Sequence, residues 1–468
     1  MSALSPAMSP VLLDKTVLRP VGRVVFLYLL LVGYAFAYTY FFATLTAGPT
    51  GLNQRFIIFD PSRLSDYVTI VLLTPVAMLP IGTRLRTPGQ MIYALSCVFF
   101  FIPIPVQFLA MVPARQYWVV YIVLWISSAI LALTSRICVK LRVRTLSVTG
   151  YRHLSIGVMC FFAISLLLAA RNGIHIVGFA DIYKYRMSTD ANLKISPIFG
   201  YPIAMFIGTF GGFAVATAVA FRKYSLIALS VLCFVLAYGV SAAKTAAMGP
   251  AWLLYIAVAD RYFIKGGTNG SMIRFLAVMA SPYVVMGAIW TVVGQSPLFS
   301  QMIILKLATY ELYSLSNYRL FTIPPEAFSV YYDFFQTHPY TYWSHINIVG
   351  MFVTYPYAQP LPVVMQNTYF LGDYNTGFIT TDGLAAGGIA AIPFISIVMS
   401  LVVIAMNSTT SRLNVRYLII AMSVPLVAFI DAPLSTWLLT YGAGPMCLLF
   451  LFAPRGPGSP VGRTVGTG

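Results

Sequence analysis

The chain has 468 residues, of which 59% are hydrophobic and only 9% charged, and its mean hydropathy is +0.83. Soluble domains carry about 25% charged residues, so a water-soluble globular protein is excluded. A net charge of +17 fits nucleic acid or an anionic surface equally well, and the placement of the basic residues has to decide between them.

Apolar runs of roughly 17–25 residues, each able to cross a hydrocarbon core of about 30 Å as a helix, recur along the chain. The first begins near Val24 and continues past Phe42. It is too long for the core of a signal peptide, and no A-x-A site precedes a short mature start, which predicts a retained helix. Spans are predicted at about 24–46, 66–82, 90–113, 117–134, 154–170, 198–221, 225–241, 248–264, 275–293, 383–406, 416–431 and 434–453. The expected fold is all-α, a polytopic transmembrane helical bundle of about 12 spans with both termini on the cytoplasmic side.

With that orientation the inner segments hold nineteen of the 29 Lys and Arg, many in short loops such as "RICVKLRVRTLSVTGYRH" (Arg136 to His153) and "RYFIKGG". This is the positive-inside asymmetry. The surplus charge therefore reads as a topology signal and an attraction to anionic head groups, and no nucleic-acid partner is expected. Cys97, Cys138, Cys160, Cys233 and Cys447 all fall in or beside spans, so no disulfide framework is expected in the outer loops. The tail 455–468 is Gly- and Pro-rich and reads as flexible.

Two outer segments interrupt the pattern of short loops. One is "RNGIHIVGFADIYKYRMSTDANLKISP", 171–197; the other is a long extracytoplasmic loop, 294–382, between a bundle of residues 1–293 and the C-terminal spans within 383–454. Structureless loops beyond about 15 residues are uncommon, so the long one is expected to form short helices. In "LFSQMIILKLATYELYSLSNYRLF", Ile303, Leu307, Tyr310 and Ser314 share a helical face. "PPEAFSVYYDFFQTH" reads as a second helix with proline at its start and Glu326 in its first turn. "PYAQPLPVVMQNTYFLGDYNTG" reads as turn material.

The long loop holds about twenty Tyr, Phe and Trp. Aromatic faces interleaved with carboxylates and amides suit a carbohydrate cleft, and Tyr342, Trp343, Tyr318, Asn347 and Asp373 are the candidate sugar contacts. The competing reading is the interfacial aromatic belt of any membrane protein. "SAAKTAAMGP" puts Lys244 in an outward turn between two apolar spans, a costly position for a cation. Either it snorkels to the head groups or it forms an anion site with the N-terminus of a helix beginning near Met248. Arg171, Lys184, Arg186, Lys194 and Arg319 lie in outer segments against the topology bias and can join it. Guanidinium groups grip phosphate oxygens bidentately, so a lipid phosphate or pyrophosphate would account for them. There is no Walker A sequence, H-E-x-x-H, zinc-type Cys/His cluster or G-x-S-x-G elbow, and no adjacent acidic pair in "GPTGLNQRFIIFDPSRLSD". No metal and no cofactor are expected.

The span number, the long late outer loop, the basic smaller outer loop, the hairpin "SAAKTAAMGP" and the closing "GDYNTGFITTDGLAAGGIAAI" with its "AAGGIAA" (Ala385 to Ala391) resemble the Wzy-type O-antigen or exopolysaccharide repeat-unit polymerases. The outer segments hold no Arg-x(10)-Gly element of the kind found in some members. The resemblance implies a multi-pass protein of the bacterial inner membrane that joins oligosaccharide units carried on undecaprenyl pyrophosphate. Membrane lipids and a chain-length regulator protein are the other implied partners. Pyrophosphate leaves readily once cations meet its charge, whereas the acceptor hydroxyl needs a base. The base candidates are His345, His338, Glu311 and Asp382. Histidine needs little tuning for the task, and "TYWSHIN" sets His345 beside aromatics and Asn347, whereas His338 precedes Pro339 and can instead cap the preceding helix. Glu311, Tyr318 and Arg319 would orient the acceptor, and Asp333 to Gly350 would act as a sugar-facing lid. The rivals are an O-antigen ligase, a flippase or transporter of lipid-linked oligosaccharide, with Asp260 and Asp431 as its charged residues near span ends, and a structural subunit.

Overall fold

A computed structural model of the chain describes residues 15–47, 59–111, 114–171, 173–174, 177–178, 197–263, 270–294, 302, 305, 309–310, 313, 320–370, 377–430 and 432–454. The fold is all-α. Among the described residues the only strands are β1 (Arg84–Leu85) and β2 (Gly270–Ser271), a two-residue antiparallel pair. Eight helical runs among those residues are long and apolar enough to cross a membrane, and three shorter apolar helices accompany them. The chain is a multi-pass membrane protein.

The helices run in sequence as α1 (Lys15–Ala47), α2 (Leu64–Met78), α3 (Pro88–Ser96), α4 (Pro103–Met111), α5 (Ala114–Thr134), α6 (Val148–Ala170), α7 (Pro197–Met205), α8 (Gly211–Phe221) and α9 (Ser225–Ser241). After them come α10 (Lys244–Phe263), α11 (Met272–Ile289), α12 (Ile323–Phe334), α13 (Asn347–Gly350), α14 (Leu361–Tyr369), α15 (Ala385–Gly387), α16 (Ala391–Thr410), α17 (Val415–Ile430) and α18 (Ala443–Phe452). A π-helical turn, Cys97–Phe101, joins α3 to α4, and a second, Phe206–Phe210, joins α7 to α8. The α3–α4 run is buried almost throughout and forms the centre of the bundle. It starts cleanly because Thr87 caps it, Pro88 fills the first turn, and Gln90 completes a reciprocal capping box.

Side-chain contacts separate two ends of the bundle. At one end Arg136 donates through Nε to the Ile81 carbonyl at 3.0 Å, Arg152 donates to the Phe221 carbonyl, and Leu146 N–H reaches the Phe452 carbonyl at 3.0 Å. Arg416 holds Asp260 at 2.8 Å at this same end. Here too lie Lys140, Arg142, Arg144, Arg222, Lys223 and Arg412. At the opposite end Arg63 donates to the Leu109 carbonyl at 2.5 Å, and the Tyr38 hydroxyl donates to the Phe321 carbonyl at 2.8 Å. Among the described residues Asp60, Asp66, Glu326, Asp333 and Asp382 lie at this second end, and Asp260 alone at the basic one.

The basic segment after α5 is extended and fastened along its length to the end of α16. Asn407, fully buried, donates to the carbonyls of Ser135 and Ile137, both at 2.9 Å, and accepts from Gly89 N–H at 2.8 Å. Val139 N–H reaches Ser408 Oγ at 2.9 Å, and Arg412 donates to the carbonyls of Leu141 and Val143. One amide thus ties three segments together.

Four expectations change. The span predicted from 383 is interrupted: residues 377–384 form a π-helical turn, α15 ends at Gly387, Gly388 takes a φ of +69°, and α16 starts at Ala391. The span predicted at 434–453 is also split, by Gly442 at φ +80° between the π-helical turn Thr436–Thr440 and α18. Left-handed glycines end helices, but apolar periodicity runs straight across them. Residues 361–369 form α14 instead of turns, because Pro362 sits in its first turn and Leu361 and Met365, one turn apart, are buried. The helix expected near Met248 begins at Lys244, two residues after a left-handed Ala242. The second predicted loop helix forms as α12, with proline in its first turn and Glu326 beside it, but it is buried on nearly every side, against α4.

Asn407→Ala strands two carbonyls and one N–H in the interior, and an unsatisfied buried group costs about 1–3 kcal/mol. A clear drop in the melting temperature of the detergent-solubilised protein is expected, with Ile397→Ala, on an exposed face of the same helix, near wild type.

Candidate active site

Asp382 lies in the π-helical turn Gly377–Leu384, all eight residues of which are buried. Gly377 permits this packing: it has φ +34°, and a Cβ there would lie 2.8 Å from Phe100 Cε1 in the central helix. The Asp382 side chain is 2% exposed, yet both oxygens are engaged. Oδ2 accepts from Leu434 N–H at 2.5 Å, and Oδ1 lies 3.1 Å from Nε2 of His345. Thr380 Oγ1, two residues earlier, is buried without a hydrogen-bond partner among the described residues.

The segment carrying His345 docks on the same turn through its main chain. Thr341 donates to the Ala385 carbonyl from N–H at 2.9 Å and from Oγ1 at 3.0 Å, and Tyr342 N–H reaches the Ala386 carbonyl at 3.0 Å. Trp343 Nε1 donates to the main-chain oxygen of Asp382 at 2.6 Å, and its ring lies 5.3 Å from that of Phe394. Tyr342 and Trp343 are both left-handed, at φ +47° and +59°. Bulky side chains pay about 1–3 kcal/mol each for that conformation. The docking bonds hold the strain, and its result is a sharp reversal that leaves Tyr342 exposed and returns His345 to Asp382. Gly388 matters for the same reason: besides its positive φ, a Cβ there would lie 2.6 Å from the Tyr340 hydroxyl.

A carboxylate only accepts hydrogen bonds, so Asp382 fixes the proton of neutral His345 on Nε2. Nδ1 is left as the acceptor, with no partner among the described residues, on a side chain 22% exposed. A buried carboxylate that orients an imidazole and stabilises its protonated form is the arrangement general-base histidines use. Two of the four base candidates are therefore one unit. His338 is committed elsewhere: Nδ1 lies 2.9 Å from both the Phe334 carbonyl and Thr337 Oγ1, and its ring stacks on Phe334 at 3.9 Å. It caps the end of α12. Around it the Tyr357 hydroxyl donates to the Pro339 carbonyl at 2.5 Å, and burial pushes that hydroxyl's pKa up to about 12. Tyr369, also raised by burial, donates to Asp333 at 2.7 Å. Both phenols stay protonated and hold the segment closed on itself.

Lys244 and Arg171 come to the same end of the bundle as this pair. Helices α10 and α17 pack antiparallel: Asp260 meets Arg416, and a Cβ on Gly212 would touch Leu253 and the Ala421 carbonyl together. From Asp260 back to Lys244 is 16 residues, about 24 Å of helix, and from Arg416 to Ile430 is 14 residues, about 21 Å. Lys244 is thus level with Ile430, four residues before the Leu434 N–H that holds Asp382. It is buried at the first position of α10. Arg171 ends α6, whose start touches Phe221 through Arg152 at the basic end, so it too reaches the Asp382 end and is exposed there. Of the candidate sugar contacts, Tyr342 is exposed, Trp343 is half-buried, and Asn347 opens α13. Lys184, Arg186, Lys194, Arg319, Glu311, Tyr318 and Asp373 lie outside the described residues, as do His175 and Asp431. Among the described residues no three His, Cys, Asp or Glu converge as a metal site would require.

The chain matches no family model, no curated protein and no solved structure. Its site is therefore read from its own geometry. Sequence reasoning had no signal for the Leu434 N–H, a main-chain group, or for Thr380.

Gly388→Ala meets both a left-handed φ and the Tyr340 ring. About 1–2 kcal/mol of strain there should loosen the docked segment, and limited chymotrypsin digestion in detergent should cut residues 340–357 roughly ten times faster than in the parent, while α16 stays protected.

Proposed function

We propose that the chain is a lipid-linked glycan polymerase of the Wzy type, which extends oligosaccharides carried on undecaprenyl pyrophosphate at the outer face of a bacterial inner membrane. The observation that carries this reading is the His345–Asp382 pair, at the end of the bundle that also holds Lys244 and Arg171. A base at the same end of the bundle as a buried and an exposed cation suits glycosyl transfer from a pyrophosphate.

Twelve passes follow if α3–α4 and α7–α8 each count once and α12 to α15 are counted with the outer loop. The alternation of contacts between the two ends supports that count, and the crowding of Arg and Lys at the other end supports its assignment to the cytoplasm, with both chain ends there. In this mechanism Lys244 and Arg171, with Lys184, Arg186 and Arg319, hold the donor's pyrophosphate. Tyr342, Trp343, Tyr318, Asn347 and Asp373 contact the sugars, and Glu311 helps orient the acceptor. The acceptor hydroxyl gives its proton to His345 Nδ1 as its oxygen bonds to the anomeric carbon. The bond from that carbon to the pyrophosphate oxygen breaks, and undecaprenyl pyrophosphate leaves with the electron pair, its charge met by the cations. Asp382 stabilises the imidazolium until the proton passes to solvent. No cofactor enters. Of Asp260 and Asp431, the charges a transporter reading would use, Asp260 is tied to Arg416 at the basic end.

Purified protein given a lipid-pyrophosphate oligosaccharide should produce a polymer ladder. General-base catalysis is worth about 10²–10⁴-fold, so His345→Ala should lose at least that lower factor in kcat. Asp382→Asn should lose activity while still folding, and Lys244→Ala should weaken turnover of the donor. A single transfer to a different lipid acceptor would make the enzyme a ligase, and no transfer with intact flipping would make it a transporter.

A further inference from the structure

The segment that carries His345 presents its largest apolar side chains outward. From Tyr342 to Val353 the sequence "YWSHINIVGMFV" contains no charged residue. After α13 the turn continues, with Phe352 N–H and Val353 N–H both bonded to the Val349 carbonyl at 2.9 Å. Ile348, Met351 and Phe352 are 72%, 80% and 84% exposed. Three such side chains in water would be a marked loss of the apolar burial that folding otherwise secures.

The position of this knob identifies what covers it. Helix α16 has an exposed apolar stripe, Phe394, Ile397 and Leu401, at helical spacing along one face of a membrane helix. Trp343 packs on Phe394, the outermost member of that stripe, and directs its indole N–H inward to Asp382. A tryptophan with its body on a lipid-facing stripe and its polar edge satisfied is characteristic of the membrane interface. Ile348, Met351 and Phe352 follow only five to nine residues beyond Trp343 and its contact with that stripe.

We infer that residues 342–352 form an interfacial anchor, with Ile348, Met351 and Phe352 seated in the head-group and acyl boundary of the bilayer beside the first turn of α16. The partner is the lipid surface itself. A short turn with this composition immerses to about 5–10 Å, as interfacial helices do. The left-handed pair Tyr342–Trp343 reverses the chain between its docking bonds and the exposed turn. If the polymerase reading holds, His345 then works at head-group depth, level with a lipid-linked pyrophosphate and open to it from the side; that consequence rests on the proposed function, and the anchor does not.

The test reads depth and not turnover. Met351→Cys and Phe352→Cys, each with Cys138→Ser and Cys160→Ser to remove the exposed native thiols, are labelled with an environment-sensitive fluorophore. The protein is reconstituted in vesicles of phosphatidylethanolamine and phosphatidylglycerol. Leu401→Cys serves as the lipid-facing reference and Lys140→Cys as the charged-segment reference, and only monodisperse variants are compared. Both labels are expected to emit at shorter wavelength than the Lys140→Cys label, and to be quenched more by lipid bearing a doxyl group near the head of its acyl chain than by aqueous iodide. Emission and iodide quenching typical of water would overturn the anchor. So would protection from both quenchers that varies with the protein-to-lipid ratio, because a second copy of the chain would then cover the patch. Lipid quenching without a polymer ladder would keep the anchor and remove the polymerase reading; the converse would do the opposite.

Discussion

A carboxylate taken out of water must be given hydrogen bonds or it gives up its charge. Asp382 meets that demand with two donors from distant parts of the chain, the main-chain N–H of Leu434, 52 residues on, and the imidazole of His345, 37 residues before. Neither is dispensable. The turn after α17 is held by the first bond, and the segment 341–345 by the second together with the main-chain bonds at Thr341 and Tyr342. The tautomer of His345 follows from satisfying this buried carboxylate, while the strain at Tyr342 and Trp343 and the close approach of Tyr340 to Gly388 accompany the main-chain docking.

The opposite end of the bundle solves its polar problem differently. There a neutral amide, Asn407, takes up groups from α3 and from the extended segment after α5, and Arg136 and Arg412 add bonds to main-chain carbonyls nearby. Asp260, buried at this end, is met by Arg416, whose side chain stays 43% exposed. The two ends thus differ in kind, one cross-linked by a neutral amide and one by a buried carboxylate.

Much of this was readable in the sequence, for physical reasons. Lipid demands long apolar helices, so the spans announce themselves, and proline with Glu326 marks the start of α12 because the first turn of a helix tolerates one and favours the other. The alternative role of His338 as a cap was legible from Pro339. What escaped has equally definite causes. Hydropathy averages over windows and does not register a single left-handed glycine, so the breaks at Gly388 and Gly442 were hidden inside apolar runs. The π-helical turn holding Asp382 reads GFITTDGL, and although that composition is poor in helix formers, nothing in it marks a π-helical register. His345 and Asp382 were separate suggestions because nothing in one sequence encodes a contact across 37 residues.

The interruption after Gly387 does more than shorten a helix. In an unbroken rod the oxygens of Ala385 and Ala386 would be consumed by the amides four places ahead, Ile389 and Ala390. Ending the rod there releases two acceptors, side by side on an apolar wall, and Thr341 and Tyr342 take them as one strand takes the edge of another. A membrane helix has no lateral sticky edge; this protein makes one by stopping early.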